Sequence, residues 1–375
     1  MAACKDIAGV VRYTKSGQAP AHTPTGFVAL LSGKLKVVKM NDMMGERKME
    51  VIHFFRKKTA FFSIERVFGQ LEPEMRNFLT VRSLAVPSGG FSLKAIIRNI
   101  WAARSARADI YHITGDVHYL AFGLPRKSTI LTIHDCVFLY QAAGIKRLLL
   151  KWLLLSGPVR RCALITTISE STRKDIIRYT GCAPAKVVVI PNPVDSKIHF
   201  AARSFREEEP VILFLGSTPN KNLLRAIPAL AGIACLLDVV GDLSEEAITL
   251  LQLSKIKYRK ASCLTDDEIA EKYSGADMVL FPSTFEGFGL PIIEAQKAGR
   301  PIVTSDLDPM REVAGGAARL VDPYSVASIR EGILNVINDK AYREKLIQAG
   351  FQNVERFATA SIVRQYISCY QKLSS

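Results

Sequence analysis

The chain has 375 residues, of which 48% are hydrophobic, so it is long enough for two domains with separate cores. It contains no run of 18 or more apolar residues, which argues against a membrane-spanning helix. The net charge of +15 is uneven, because residues 1–200 carry +17 and residues 201–375 carry −2. A basic surface of this kind attracts nucleic acid, anionic lipid or a phosphorylated substrate.

Residues 1–49 mix small and polar residues with short apolar runs such as Phe27–Leu31, and their start lacks the apolar core of a secretory signal. We expect them to form a poorly ordered extension, with Met43, Met44 or Met49 as alternative starts of the protein. The seven cysteines are dispersed without a C-x-x-C pair, which favours the reducing cytoplasm over a disulfide framework.

Residues 50–200 alternate short apolar runs with helical patterns, which predicts a parallel sheet with helices on both faces. The predicted strands are Glu50–Phe55, Ile110–His112, Thr129–Ile133, Ala163–Thr167 and Val187–Ile190. Helices are predicted for Leu93–Ala106 and Glu170–Tyr179. The polar stretch Ala201–Pro210, which follows two prolines, predicts a domain boundary.

Within this first half, the segment Gly144–Leu155 is basic and leucine-rich and contains Trp152. A helix of this composition either lies on an anionic membrane surface or forms a buried domain helix with basic ends. The charge of +17 on residues 1–200 favours membrane contact.

Residues 201–357 repeat the alternating pattern, and the region after Ala341 is predicted to be helical. The predicted strands are Val211–Leu215, Met278–Phe281 and Pro301–Thr304, and Leu236–Asp242 is predicted to form a further strand and its turn. The sum is an α/β protein with two doubly wound, Rossmann-like domains that face each other across a cleft. Ligands are expected at the carboxyl ends of the strands.

The most informative segment is Phe285–Glu294, in which Glu286 and Glu294 lie eight positions apart around a glycine-containing turn. Pro291 suits the first position of a helix, and the N–H groups at such a start have no intrahelical partner and bind phosphate. Glu294 would lie about one turn into that helix, where a carboxylate accepts hydrogen bonds from sugar hydroxyls. An anion site beside a hydroxyl acceptor indicates a nucleotide that carries a sugar.

Two further side chains are candidates for the same ligand. Lys221 follows the strand Val211–Leu215 in a loop before a helix, where a lysine suits a diphosphate; a solvated loop lysine is the alternative. His134 ends the strand Thr129–Ile133, where it can bond a sugar hydroxyl; a histidine satisfied near a strand end is the alternative. The histidines show no metal-binding spacing, so neither a protein-held metal nor a cofactor is expected.

The segment Phe285–Glu294 closely resembles the Glu-x7-Glu signature of the retaining GT-B glycosyltransferases, particularly those of family 4. The flanking segments Tyr273–Ser283 and Ala298–Val303 resemble the helix, strands and turns around that signature. The resemblance implies a GT-B fold, in which the final helix, here Ser361–Leu373, crosses back onto the first domain. We therefore expect domains at 50–200 and 201–357, followed by a crossing helix within 358–375.

The resemblance also implies the activity. A retaining glycosyltransferase would move a hexose-type sugar from a nucleoside-diphosphate sugar to a glycan or polyprenyl-linked acceptor in cell-surface polysaccharide synthesis. Such an enzyme would be cytoplasmic and peripheral at the inner face of the plasma membrane, with an anionic membrane surface as a partner. No nucleic-acid partner is expected, because no RNA- or DNA-binding motif is present.

The resemblance assigns roles to individual residues. Glu294 would bind the ribose hydroxyls, Glu286 the hydroxyls of the transferred sugar, and His134 would approach that sugar from the acceptor side. The donor-binding residues would be Gly216, Lys221, Phe288, Gly289, Leu290 and Glu294. The catalytic residues would be Glu286, His134 and Lys221.

Two departures from the family pattern concern loops. The family usually pairs an arginine with the lysine of the Lys221 loop, whereas Ser217 and Thr218 stand in that region here, so Gly216 is expected to contribute through its backbone. The first loop, Arg56–Glu65, lacks the family's glycines and carries Phe61 and Phe62, as an apolar acceptor surface or as core.

Two other functions remain open on the sequence. A nucleotide-sugar epimerase or a phosphorylase can use the same fold, since a fold does not fix a reaction. A non-enzymatic, basic membrane- or nucleic-acid-binding protein is the second alternative, and it rests on charge alone.

Overall fold

A computed structural model describes residues 27–31, 34–38, 47–57, 63–140 and 143–374. The chain divides into two compact units, Met1–Met49 and Glu50–Ser375. In the first unit, β1 (Phe27–Leu31) pairs antiparallel with β2 (Lys34–Val38). Most of the predicted extension, including Met43 and Met44, lies outside the described residues, so its order stays a prediction.

The second unit contains two sheets, and the first has six parallel strands in the order β4-β3-β5-β6-β7-β8. These strands are β3 (Glu50–Phe55), β4 (Thr80–Ala85), β5 (Ile110–Ile113), β6 (Thr129–Ile133), β7 (Leu164–Thr167) and β8 (Val187–Val189). The helices of this first lobe are α1 (Ser63–Met75), α2 (Leu93–Ser105), α3 (Val137–Tyr140), α4 (Gly144–Lys151), α5 (Gly157–Arg161) and α6 (Glu170–Thr180). The first lobe also contains 3₁₀ turns at His118–Phe122 and Pro184–Lys186 and a π turn at Trp152–Ser156.

The second lobe repeats this architecture, with six parallel strands in the order β11-β10-β9-β12-β13-β14. They are β9 (Val211–Leu215), β10 (Leu236–Val240), β11 (Lys257–Ala261), β12 (Met278–Phe281), β13 (Ile302–Ser305) and β14 (Arg319–Val321). The helices are α7 (Leu223–Leu230), α8 (Glu245–Leu253), α9 (Asp266–Gly275), α10 (Leu290–Ala298), α11 (Met310–Ala314), α12 (Val326–Asn338), α13 (Lys340–Val354) and α14 (Thr359–Ser374). The prediction of two doubly wound α/β domains is therefore confirmed.

The strand orders locate the ligand-binding edge of each sheet. The strand order reverses between β3 and β5 in the first sheet and between β9 and β12 in the second. At such a switch point the loops leave the carboxyl ends of neighbouring strands in opposite directions and open a crevice, which is where doubly wound proteins bind ligands. The loops that follow β9 and β12 contain Lys221 and Glu286.

The last helix joins the two lobes. α14 packs against α1 and β5 of the first lobe. Its Tyr370 hydroxyl lies 3.1 Å from Nε2 of His53 and 2.8 Å from Nδ1 of His112. Both histidines are completely buried, so His112 is part of the seam beneath α14. None of the helices in the described part of the chain is long and apolar enough to cross a membrane.

Candidate active site

One wall of the site is made where the loops after β9 and β12 meet. Nζ of Lys221 donates to Oε1 of Glu286 over 2.7 Å. Nδ2 of Asn220 donates to the carbonyl oxygen of Phe285 over 2.9 Å, and the N–H of Thr284 donates to the carbonyl oxygen of Asn220 over 2.8 Å. These bonds join the two loops across the switch point and fix the Lys221–Glu286 ion pair at the carboxyl edge of the sheet.

The local backbone explains how Lys221 reaches this edge. Gly216 has φ +87° directly after β9, and a 3₁₀ turn at Pro219–Lys221 then folds the chain back. A Cβ on Gly216 would lie 3.0 Å from both Cγ and Cε of Lys221, so a glycine leaves room for the lysine side chain. The N–H of Gly216 donates to the carbonyl oxygen of Val240 over 2.7 Å. This amide is therefore already paired, and Gly216 contributes space for Lys221 here.

The start of α10 forms the floor beside this ion pair. α10 begins at Leu290, one residue before Pro291, and its N-cap is Gly289 in the left-handed region at φ +104°. Backbone N–H groups at the start of a helix have no intrahelical partner, and the helix dipole adds positive potential there. The helix start that the sequence predicts is thus confirmed, next to Lys221 and Glu286.

A cavity of about 460 Å³ lies between the two lobes at this point. The second lobe contributes the loop and helix start described above, and the first lobe contributes the ends of its own strands. The cavity is lined by Arg56, Ile64, Val67, Asp116, His134, Asp135, Ile168, Asn192, Lys221, Glu286, Gly287, Phe288, Gly289, Leu290 and Pro291. Six of the eight predicted site residues are thus brought together, and Gly216 and Glu294 are not in the wall.

Glu294 lies within α10 and is only 6% exposed. The hydroxyl of Tyr273, which the sequence reasoning did not single out, donates to Oε2 of Glu294 over 2.7 Å. Burial raises the pKa of Glu294, and the nearby Asp195 and Asp266 add to this, whereas the Tyr273 hydrogen bond and Arg66 lower it. Glu294 is therefore a desolvated carboxylate that is partly satisfied by Tyr273.

His134 faces this wall from the end of β6. Its Nε2 lies 2.8 Å from the carbonyl oxygen of Thr114, which can only accept, so Nε2 carries the proton. Burial lowers the pKa of His134, although the bond to Thr114 and the carboxylates of Asp116 and Asp135 oppose this shift. A neutral imidazole with a lone pair on Nδ1 suits a hydrogen bond from a sugar hydroxyl.

Sequence reasoning missed a second ion pair in the wall. Nη1 of Arg56 lies 2.5 Å from Oδ2 of Asp116, and its Nε lies 3.0 Å from Oε1 of Glu65. A signal was present, because Thr114-Gly115-Asp116 follows the buried strand β5 at the same edge that carries His134. Phe61 and Phe62, which lie between Arg56 and Glu65, are outside the described residues.

A second cavity of about 950 Å³ lies in the first lobe and shares part of this wall. Arg56, Asp116, His134 and Asp135 line both cavities. The remaining wall of the larger cavity is mainly apolar and includes Val86, Phe91, Val117, Tyr119, Val137, Phe138, Leu150 and Leu154. His134 therefore lies between the cavity in the cleft, which contains the charged residues, and the larger, mainly apolar cavity of the first lobe.

Two Rossmann-like lobes with a shared site in the cleft define the GT-B class, and solved structures agree. The fold matches that of sucrose-phosphate synthase from Thermosynechococcus elongatus with a TM-score of 0.71 at 16% identity. The match covers 87% of this chain and 99% of that chain. Anabaena Alr3699/HepE, solved in complex with UDP and glucose, matches 86% of this chain and 100% of that chain with a TM-score of 0.69 at 16% identity.

Family models and curated relatives give the family. The model described as Glycosyltransferase Family 4 matches residues 44–197, and the model described as Glycosyl transferases group 1 matches residues 195–353. The two matches adjoin and span both lobes, so the chain belongs to the group 1/family 4 glycosyltransferases. O-antigen chain mannosyltransferase B of Escherichia coli is 29% identical over 91% of this chain and 96% of its own length.

A second relative matches a shorter region. MMP alpha-(1->4)-mannosyltransferase of Mycolicibacterium hassiacum is 29% identical over 57% of this chain and 55% of its own length. The chain is thus a glycosyltransferase whose relatives include mannosyltransferases.

Proposed function

We propose that this enzyme transfers a hexose from a nucleoside-diphosphate sugar to a glycan or polyprenyl-linked acceptor in cell-surface polysaccharide synthesis. The carrying observation is the Lys221–Glu286 ion pair, 2.7 Å long, at the mouth of α10 in the inter-lobe cavity. The relatives that are named as mannosyltransferases support mannose as the first sugar to test.

In this proposal the helix start and Lys221 hold the diphosphate. The free N–H groups around Gly289 and Leu290 supply hydrogen bonds, and Lys221 supplies a full positive charge. As negative charge develops on the leaving phosphate, Lys221 moves part of its interaction from Glu286 to that oxygen. Glu286 is then available to the hydroxyls of the transferred sugar. The ribose hydroxyls are assigned to Glu294, whose buried carboxylate must become accessible from the cavity when the donor binds.

The transfer retains the anomeric configuration through attack on the face from which the donor leaves. The acceptor oxygen bonds to the anomeric carbon, the bond from that carbon to the phosphate oxygen breaks, and the acceptor proton passes to the departing phosphate oxygen. The protein contributes position and charge, and closure of the two lobes limits hydrolysis of the donor. Positive charge from Lys221 and the helix start takes the place of a metal in this proposal.

The test combines mannose donors of several bases with mannosides that carry an apolar aglycone, which suits the larger cavity. Mass spectrometry and NMR then identify the product and its anomeric configuration. A glycoside of retained configuration, formed much more slowly by Lys221→Gln at the same donor concentration, supports the proposal. Epimerised donor, sugar phosphate, or an inverted product contradicts it.

A further inference from the structure

The helix α4 exposes an apolar stripe. Ile145, Leu148, Leu149 and Trp152 are 77%, 66%, 64% and 57% exposed, and their spacing places them on one side of a helix. No residue of α4 is buried. The alternative of a buried domain helix therefore fails for α4, and burial of the leucine-rich segment begins only in the π turn that follows.

The helix α2 exposes a second stripe. Leu93, Ile97 and Trp101 recur every fourth position and are 73%, 50% and 75% exposed, and Phe91, just before the helix, is 58% exposed. The core-facing side of α2 is made by other residues, namely Ala95, Ile96, Asn99 and Ala103. The exposed apolar side chains are thus additional to those that hold α2 on the sheet.

The helix α2 and the π turn that directly continues α4 pack on one segment of the first lobe. The ring of Phe122 stacks on Trp152 with centroids 5.2 Å apart. The next residue, Gly123, packs so closely on α2 that an added Cβ would lie 2.6 Å from Cγ2 of Ile100. The two stripes are therefore neighbours. We call their exposed residues the α2–α4 face: Leu93, Ile97, Trp101, Ile145, Leu148, Leu149 and Trp152.

The charge around the α2–α4 face has a single sign. No Asp or Glu occurs in residues 89–108 or 136–169. Both helices carry exposed or half-buried cations beside their stripes: Lys94, Arg98, Arg104, Lys146, Arg147 and Lys151. Among the described residues, no carboxylate forms an ion pair with any of these six.

A partner for this face must offer apolar groups to the two stripes and negative charges to the cations beside them. A second copy of the chain would bring like charges together, because a two-fold interface places the same patch on both sides. An anionic bilayer supplies both properties, and tryptophan favours its interface. We propose that the α2–α4 face docks on the interface of an anionic lipid bilayer.

Docking at this face has a consequence for the larger cavity. Lys146 and Leu150, on another side of α4, line that cavity, as does Phe91 before α2. A bilayer docked on the α2–α4 face would thus lie at the edge of the larger cavity, which His134 also lines. A lipid-linked acceptor would enter it from the bilayer; this consequence rests on the proposed function, whereas docking itself does not.

The chain carries its own probe of docking. It has two tryptophans, Trp101 and Trp152, and both belong to the α2–α4 face. Vesicles of phosphatidylglycerol and phosphatidylethanolamine should shift the tryptophan emission to shorter wavelength and co-float with the protein. Phosphatidylcholine vesicles should do so far less, and salt should weaken the effect because it screens the charges.

Paired variants separate the apolar and the electrostatic contributions. Ile97→Ser with Leu149→Ser should weaken partitioning into anionic vesicles by about tenfold or more, since each removes a large apolar side chain. Arg98→Gln with Arg147→Gln should weaken it by roughly tenfold at low salt and reduce its salt dependence, because two of the six cations are removed. Leu253→Ser, which changes a 75% exposed leucine of α8, is the matched control and should have no effect.

Two results would overturn docking. The first is an unshifted emission and no flotation of the wild-type protein with anionic vesicles. The second is concentration-dependent self-association that Ile97→Ser with Leu149→Ser abolishes, since the face would then be an interface between copies. Donor binding is measured separately by calorimetry. Vesicle docking without donor binding would reject the proposed function alone, and donor binding without docking would reject this inference alone.

Discussion

At the scale of single residues, the site depends on Lys221, which Glu286 and Phe281 hold in position without a ligand. Lys221 lies 2.7 Å from Glu286 and 4.9 Å from the ring centroid of Phe281. The sequence pattern identified both charged residues, Lys221 from the buried strand that precedes it and Glu286 from its spacing to Glu294 around the turn before a helix. It did not identify their pairing, since the contact spans 65 positions and depends on how the strands β9 and β12 are ordered.

The two partners of this ion pair should affect different steps. Lys221→Gln should weaken binding of the nucleoside diphosphate by about ten- to a hundredfold, because a charge-assisted bond is lost. Glu286→Gln should lower kcat by roughly a hundredfold or more while the donor Kd stays nearly unchanged. Calorimetry and steady-state kinetics separate the two. Lys257→Gln, which breaks the exposed Lys257–Glu209 pair, is the matched control. Identical effects from Lys221→Gln and Lys257→Gln would contradict the assignment.

The protonation of Glu294 gives a pH dependence with a definite sign. Burial raises the pKa of Glu294 above its ordinary value of 4.5, so the ionised form is lost at a higher pH than for an exposed glutamate as the pH falls. If the carboxylate accepts bonds from the donor, donor affinity should decline in mild acid. Glu294→Gln should bind the donor more weakly and lose this acid limb in calorimetric titrations across pH. An acid limb that persists unchanged in Glu294→Gln would reject the role.

At the scale of elements, the predictions succeeded where burial dominates. The strands β3, β6, β9 and β12 have the bounds that their apolar runs predicted. The strands β4, β11 and β14 were missed, because they are polar or very short. β11 contains Lys257, Arg259 and Lys260, all exposed, and it lies at the edge of its sheet, where one side needs no burial. A hydrophobic pattern carries little information about such a strand.

The start of α10 can be tested by comparing two glycines. Gly289 and Gly316 have φ of +104° and +79°, so alanine at either should cost about 1–2 kcal/mol of stability. Gly289 lines the cavity, and a Cβ added there would lie 3.1 Å from Cδ1 of Ile292, whereas Gly316 has nothing within 4 Å. Thermal unfolding should therefore show a lower Tm for both Gly289→Ala and Gly316→Ala. Calorimetry should show weaker donor binding for Gly289→Ala alone. Unchanged donor affinity in Gly289→Ala would argue against the helix start as the diphosphate site.

At the scale of the whole molecule, polar contacts hold the lobes together. Besides the α14 seam, the carboxylate of Glu312 in α11 accepts from the N–H of Glu170 at the start of α6, over 3.1 and 3.0 Å. Burial raises the pKa of Glu312, against the effect of that hydrogen bond. The sequence cannot predict such contacts, because they pair residues that are more than a hundred positions apart. The resemblance, rather than any local pattern, supplied the expectation of a crossing helix.

The hydroxyl oxygen of Tyr370 should contribute to the stability of the contact between α14 and the first lobe. Tyr370→Phe removes the hydroxyl that contacts both His53 and His112, and leaves buried ring nitrogens with fewer partners. We expect a loss of about 1–3 kcal/mol in the free energy of unfolding. Chemical denaturation measures it, with Tyr324→Phe as the control, because Tyr324 is 59% exposed. Equal stability of the two variants would show that the hydroxyl does not stabilise the seam.

The central claim is that the start of α10 and Lys221 grip the diphosphate of a sugar donor. A crystal structure of the chain with a bound nucleoside diphosphate tests it most directly. The claim predicts phosphate oxygens about 2.7–3.2 Å from Nζ of Lys221 and from backbone nitrogens near Gly289 and Leu290, with the ribose hydroxyls at Glu294. A diphosphate bound elsewhere in the cleft, with the Lys221–Glu286 pair untouched, would contradict the claim.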